Sequence, residues 1–236
     1  MQIDEIYRNV FHLKLPSQYL LAMTFIRMQE FYESPFRHIR RRYFTLDEYM
    51  DTYSERFENF SYTIDNCGFN VPGSLVCAFY NLFFIEKNDL TFRERDLLLS
   101  LMKKQIIKLE ANEDGEFYFK QNDKKFYLIG TFQKYDLKHE VCHAFYYLYP
   151  DYKNSVLELL KKTKKIDILK ERVLEIGYCK YQLIDECQAY LSTADKSYAK
   201  VKFGMADEWY VISRKFKKLF KDKMKEARED VRKNVA

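Results

Sequence analysis

Six glycines and four prolines are all that 236 residues contain. Tight turns, hairpins and bulges draw on glycine's access to positive φ and on proline's fixed φ. A chain so poor in both is a weak match to a turn-rich sandwich or barrel, and it leaves no room for long glycine- or proline-rich linkers. Helices joined by short connections need few of either. Hydrophobic residues make up 47% of the chain, with 20 Tyr and 20 Phe, which is ample for a sizeable core. The expected fold class is therefore α+β, mainly α-helical.

Charge narrows the function classes less sharply. Lys and Arg total 40 against 35 Asp and Glu, a net charge of +5. The bias sits in local clusters and does not demand a nucleic-acid partner. The five cysteines (Cys67, Cys77, Cys142, Cys179, Cys187) are odd in number and form no C-x-x-C pair, which fits a reducing, cytoplasmic setting. The opening MQIDEIYRNVFHLKL has no basic segment followed by an apolar run, so no secretory leader is expected, nor does any stretch qualify as a membrane span.

Along the chain, residues 5–15 read as a strand. Pro16-Ser17 opens a helix that Pro35 stops. Arg37-His38-Ile39-Arg40-Arg41-Arg42 is the densest basic run, a solvated loop or, more sharply, a phosphate-binding patch. Thr45-Leu46-Asp47-Glu48 and Thr91-Phe92-Arg93-Glu94 are capping boxes, heading helices to about Phe57 and Leu109. An apolar helix at 75–85 lies between them, and Gly68–Gly73 reads as a loop and candidate lid. Residues 111–116 form a turn, and 116–120 with 125–132 read as a hairpin. Helices follow at about 137–149, 151–163, 166–176 and 178–193, then a loop at 195–204 and a basic amphipathic helix from Ala206. The organisation expected is a helical part over 1–110, a metal-binding core over 111–204 and a terminal helix over 205–236, or all three in one domain.

The chemistry concentrates in Lys138-His139-Glu140-Val141-Cys142-His143-Ala144-Phe145. Two of the four histidines stand here, four residues apart. Residues so spaced share a helix face, so both imidazoles can bind one ion, with Glu140 beside it to take a proton from a water. At 100° per residue His139, His143 and Tyr146 fall together, while Leu137, Val141, Phe145 and Leu148 fall opposite. The helix can thus bury one side and offer the other to a cleft. Cys142 reads as a small apolar filler.

His139-Glu140-Val141-Cys142-His143 resembles the zinc-binding helix of the zincin metallopeptidases, with Val141, Cys142, Ala144 and Phe145 matching its uncharged and apolar positions. The resemblance implies a zincin-like core with a small β-sheet packed on this helix, a Zn²⁺ cofactor, and a peptide or protein substrate. Asp136 departs from the extended pattern, although it also suits the helix N-cap.

A catalytic zinc takes three protein ligands and a water. No histidine follows His143, so a metzincin site is excluded and an acid must serve, as in the gluzincin pattern. The candidates are Glu158, Glu171, Glu175, Asp185 and Glu186. Glu158 shares a face with lysines and reads as solvated. Glu186 borders the apolar face of its helix, Asp185 points away from it, and Asp185-Glu186-Cys187-Gln188-Ala189-Tyr190 resembles a gluzincin ligand context. Glu186 is thus the favoured ligand, an ion pair with Lys180 or Lys196 being its ordinary alternative. Asp185 or Asp136 is a candidate to orient a histidine, and Tyr178, Tyr181, Tyr190 or Tyr198 to stabilise the transition state.

The expectation is a zinc metallopeptidase with His139, His143 and Glu186 as ligands and Glu140 as base. The alternatives are a non-catalytic protein that binds nucleic acid or an acidic partner through its basic segments, and a degenerate zincin.

Overall fold

The computed structural model describes residues 1–133 and 137–235. The chain is 60% helical and 13% strand, the strands lying in two small sheets. It is therefore mainly α-helical α+β. Two compact units divide at Leu137/Lys138.

The first unit, Met1–Leu137, opens with a hairpin of β1 (Ile3–Tyr7) and β2 (Val10–Lys14). The strand expected over 5–15 is two strands, because Asn9 takes a positive φ of 62° and reverses the chain. Helix α1 (Gln18–Glu33) begins where Ser17 accepts the Leu20 N–H, as a serine N-cap should. Helix α2 (Leu46–Phe57) carries the complete Thr45/Glu48 capping box. A single turn, α3 (Tyr62–Asp65), leads to β3 (Gly68–Pro72). The Gly68–Gly73 lid is thereby corrected: all but its last residue is strand, paired antiparallel along its whole length. Asn70 and Val71 have strand neighbours that outweigh the turn signal of the flanking glycines.

Helix α4 (Gly73–Tyr80) runs into a π-helical segment, Asn81–Glu86. Helix α5 (Phe92–Lys103) has the Thr91/Glu94 capping box but stops six residues short of Leu109. Gln105 takes a positive φ of 56°, and Ile107 enters β4 (Ile107–Ala111). Strand β5 (Phe117–Gln121) pairs with β4 across the 112–116 turn. The hairpin expected between 116–120 and 125–132 is thus a mispairing. The second of these segments is β6 (Tyr127–Thr131), which lies between β2 and β3 in a sheet of order β1-β2-β6-β3.

Strand β6 is buried along its whole length, as an interior strand covered on both faces must be. Gly130 lies under α1: a Cβ there would strike Phe25 and Leu21. Phe25 also stacks on Phe69 of β3, centroids 5.6 Å apart.

Among the described residues of the second unit, Lys138–Ala236, every regular element is a helix. The helices are α6 (Leu137–Leu148), α7 (Pro150–Lys162), α8 (Ile166–Glu175), α9 (Leu183–Thr193), α10 (Lys196–Phe203) and α11 (Ala206–Val235). Pro150 ends α6 and occupies the first turn of α7, where its missing N–H costs nothing. The loop expected over 195–204 is helix α10. Asp195 accepts the Tyr198 N–H at its start, and Gly204 closes it in the left-handed conformation, φ 66°. Helix α11 packs on α9, α7 and α10. It buries Trp209, Phe216, Phe220 and Ala227, and Phe220 lies 5.8 Å from Phe145 of α6. Trp209 Nε1 donates to the Ala194 carbonyl at 3.0 Å. No helix among the described residues is long and apolar enough to cross a membrane.

Candidate metal centre

Helices α6 and α9 bring His139, His143 and Glu186 together. One ligating atom from each lies within 4.8 Å of the other two. His143 and Glu186 are buried, and the His139 side chain is 21% exposed, so the cluster is open on that side. The two imidazoles meet edge to face, centroids 4.9 Å apart.

His139 Nε2 is 3.6 Å from Glu186 Oε2, and His143 Nε2 is 3.6 Å from Glu186 Oε1. These separations are long for a hydrogen bond. They are close to the roughly 3.3–3.5 Å that separates two ligands of a tetrahedral zinc with bonds near 2.0–2.1 Å. Glu186 Oε2 is buried with no hydrogen-bond partner among the described residues. A buried, unsatisfied carboxylate oxygen costs free energy unless something positive reaches it. Two imidazoles and a carboxylate form a donor set suited to zinc, so the residues present fit the ion.

The other ring nitrogens face acceptors. His143 Nδ1 is 3.0 Å from Asp185 Oδ1. His139 Nδ1 is 3.4 Å from Thr193 Oγ1, whose own hydrogen goes to the Ala189 carbonyl at 2.7 Å. With an N–H on each Nδ1, release of the Nε2 proton on metal binding would turn each Nε2 lone pair into the cluster, the arrangement a metal requires.

The electrostatics are tightly coupled. Burial pushes the Glu186 carboxyl up, but the nearby charges of His143 and His139, helped by the Tyr178 hydroxyl, outweigh it and hold it below the usual carboxylate range. Burial depresses the His143 imidazole. The charges of Asp185 and Glu186, the Asp185 hydrogen bond and the charge of Glu140 more than reverse this, so it lies well above its ordinary value. Glu140 is itself buried, on the same helix.

Asp185, off the apolar face of α9, is the one of the two candidate acids that the structure places on a histidine: it holds His143. Projection measured Asp185 against the apolar core of α9, whereas His143 of α6 reaches the first turn of α9 and meets Asp185 and Glu186 at once. The motif helix is buried over the whole run Glu140 through Phe145, so of its two histidines His139 alone is partly exposed. The remaining acid candidates lie on the surface. Glu158 pairs with Lys161 and Lys162, Glu175 with Arg172, and Glu171 is exposed. The charged partners found for Glu186 are imidazoles. Asp136 lies outside the described residues.

Among the tyrosines, Tyr190 packs on His139 with centroids 4.7 Å apart, and its hydroxyl is 3.0 Å from that of Tyr178. Tyr198 stacks on Tyr190, and Tyr181 is 52% exposed. Burial lifts the Cys142 thiol well above its ordinary value, in keeping with a filler and not a nucleophile. In the basic run, buried Ile39 anchors a series of turns, and Arg41 lies over Phe31 and Tyr32.

The sequence reading missed Thr193, Gln188 and Tyr152. Thr193 stands seven residues after Glu186, two turns along the same face, and Gln188 stands three after Asp185. These spacings were available signals. Tyr152 sits on a different helix and had none. Comparison with protein-family models, curated proteins and solved structures finds no match.

Proposed function

We propose that the chain is a zinc-dependent metallopeptidase of gluzincin-like design. The observation that carries this reading is the convergence of two Nε2 atoms on one buried carboxylate, each at 3.6 Å, beside a buried glutamate on the same helix. His139, His143 and Glu186 would hold the ion. When bound, zinc polarises a carbonyl and lowers the pKa of a water. Glu140 takes the proton of the attacking water and delivers it to the leaving amine. Asp185 and Thr193 hold the imidazoles in the orientation that presents Nε2. Tyr190 closes one side of the His139 ring against water, and the partial exposure of His139 leaves a way in for substrate.

Metal analysis tests the reading. Purified wild type should carry one zinc per chain, and His139→Ala, His143→Ala and Glu186→Ala should each lose it. Glu140→Gln should keep zinc while peptide hydrolysis falls by about 10²–10⁴. A wild type without stoichiometric zinc, folded equally well in chelator, sinks the proposal. Zinc without cleavage of any peptide in a broad library leaves a metal-binding protein and removes the peptidase.

A further inference from the structure

Gln188 of α9 is wholly buried. Its carboxamide has both donors and acceptor to satisfy, which is costly in a core unless each finds a partner. Oε1 lies 3.2 Å from the hydroxyl of Tyr152 on α7. Nε2 lies 2.8 Å from Asp185 Oδ1 and 3.4 Å from the carbonyl of Cys142 on α6.

These partners decide which end of the amide is which. A carboxylate and a peptide carbonyl only accept, so the end that meets both must be the NH₂. The Tyr152 hydroxyl then donates to Oε1. One direction of donation runs from Tyr152 through Gln188 into Asp185. The oxygen it reaches, Oδ1, is the one that also receives His143 Nδ1 at 3.0 Å. The same amide ties α9 to the residue just before His143.

We propose that Gln188, backed by Tyr152, is a positioning residue for the metal centre: it locks the Asp185 carboxylate that aims His143 at the ion. The inference rests on the metallopeptidase reading above. Packing alone does not account for Gln188, since a methionine of similar length fills the space and needs no partners. Asp185 has a reason to need a tether, because its side chain is 25% exposed and water competes for it from the open side. Gln188 grips it from the buried side. Carboxylate-to-histidine support of this kind sets ligand orientation, and losing it weakens metal binding by 10- to 100-fold in well-studied sites.

The test is a chelator-competition measurement of Zn²⁺ affinity on the full chain, alongside the melting temperature of the metal-free protein. Gln188→Met should weaken zinc binding on the order of tenfold. Gln188→Glu should weaken it at least as much, since it sets a second carboxylate against Asp185. Tyr152→Phe should give a smaller loss in the same direction. In an Asp185→Ala background, Gln188→Met should have no further effect, because Gln188 acts through Asp185. A melting temperature that falls with zinc affinity unchanged, or losses that simply add in the double variant, overturns the inference. If Gln188→Met does not fold, Gln188→Asn, which keeps the amide but shortens its reach, serves the same comparison. A wild type that binds no zinc overturns the metallopeptidase reading and this inference with it. A wild type that binds zinc, with Gln188→Met of equal affinity, overturns this inference alone.

Discussion

Arg27 in the first unit and Glu186 in the second are both buried ions on helices, yet their surroundings differ in kind. Arg27 meets Glu94 through two nitrogens, Asp89 Oδ2 at 2.6 Å and the Asp89 carbonyl at 3.1 Å. Every contact is a hydrogen bond, and the guanidinium also lies over Phe83. Glu186 faces two imidazole nitrogens at 3.6 Å and leaves Oε2 unsatisfied among the described residues. The first arrangement is finished and fastens α1 to α5. The second holds its donor atoms apart, none closer than 3.6 Å across the carboxylate and the two Nε2 atoms. The difference is what the proposed metal site rests on: a closed network has nothing left to bind, whereas two imidazoles facing a carboxylate form a donor set that an ion can join.

Glu140→Gln presses hardest on the site. Amide for carboxylate keeps size and polarity but removes the proton acceptor, so hydrolysis should fall by about 10²–10⁴ while zinc content holds. Peptide hydrolysis and metal analysis on one preparation check both halves.

Stability separates the two regions next. Arg27→Met leaves Glu94 buried without its cation, and breaking such a pair costs about 3–5 kcal/mol. Glu186→Gln in the metal-free protein removes a carboxylate whose charge the imidazoles favour from 3.6 Å, so it should cost stability at neutral pH, but less than breaking the hydrogen-bonded Arg27 pair. Urea unfolding in chelator measures both. Equal losses would show that Glu186 is as much a part of the scaffold as Arg27.

Zinc removal should act on one region alone. An ion present at a hundred times its dissociation constant adds about 2.7 kcal/mol to the element that binds it. Chelation should therefore raise hydrogen exchange in α6 and α9 and leave α1 and α5 unchanged. A uniform response along the chain contradicts a site confined to the second unit.

How much of this was readable depended on range. His139 and His143 share a face by helical periodicity alone, and Thr45/Glu48 and Thr91/Glu94 announce their helices within four residues. Glu186 was reached through the position it takes on its own helix. Asp185 was named as a candidate to orient a histidine, but which histidine it meets was not legible, because a projection knows the core of its own helix and not the neighbour crossing it. Strand 127–131 was visible as a strand, but its partners β2 and β3 lie far back in the chain. Local turn chemistry favoured the nearer, wrong partner. Helix α10 was missed although Asp195 and Gly204 mark both its ends, since its polar surface carries little periodicity.

The smallest expected effect sharpens the comparison from within the first unit. Glu30, like Glu186, is a buried glutamate whose Oε2 has no hydrogen-bond partner among the described residues. Burial raises its carboxyl, and the hydroxyls of Ser34, Tyr62 and Tyr49 only partly offset that. Glu186 moves the other way because imidazoles face it. The stability consequences have opposite signs. For Glu30 the folded protein holds the proton more tightly than the unfolded chain, so the penalty is absent below the unfolded value near 4.5 and grows as pH rises towards the folded one. For Glu186 in the metal-free protein, the contribution is present above the unfolded value near 4.5 and is lost as pH falls through the folded one. Each pH unit between folded and unfolded values is worth about 1.4 kcal/mol. Glu30→Gln should thus raise the urea midpoint at pH near 7 and lose that advantage near pH 4, with Glu186→Gln showing no such gain at neutral pH from this source. Matching pH profiles for the two variants would mean that the imidazoles leave Glu186 no different from a glutamate buried among hydroxyls.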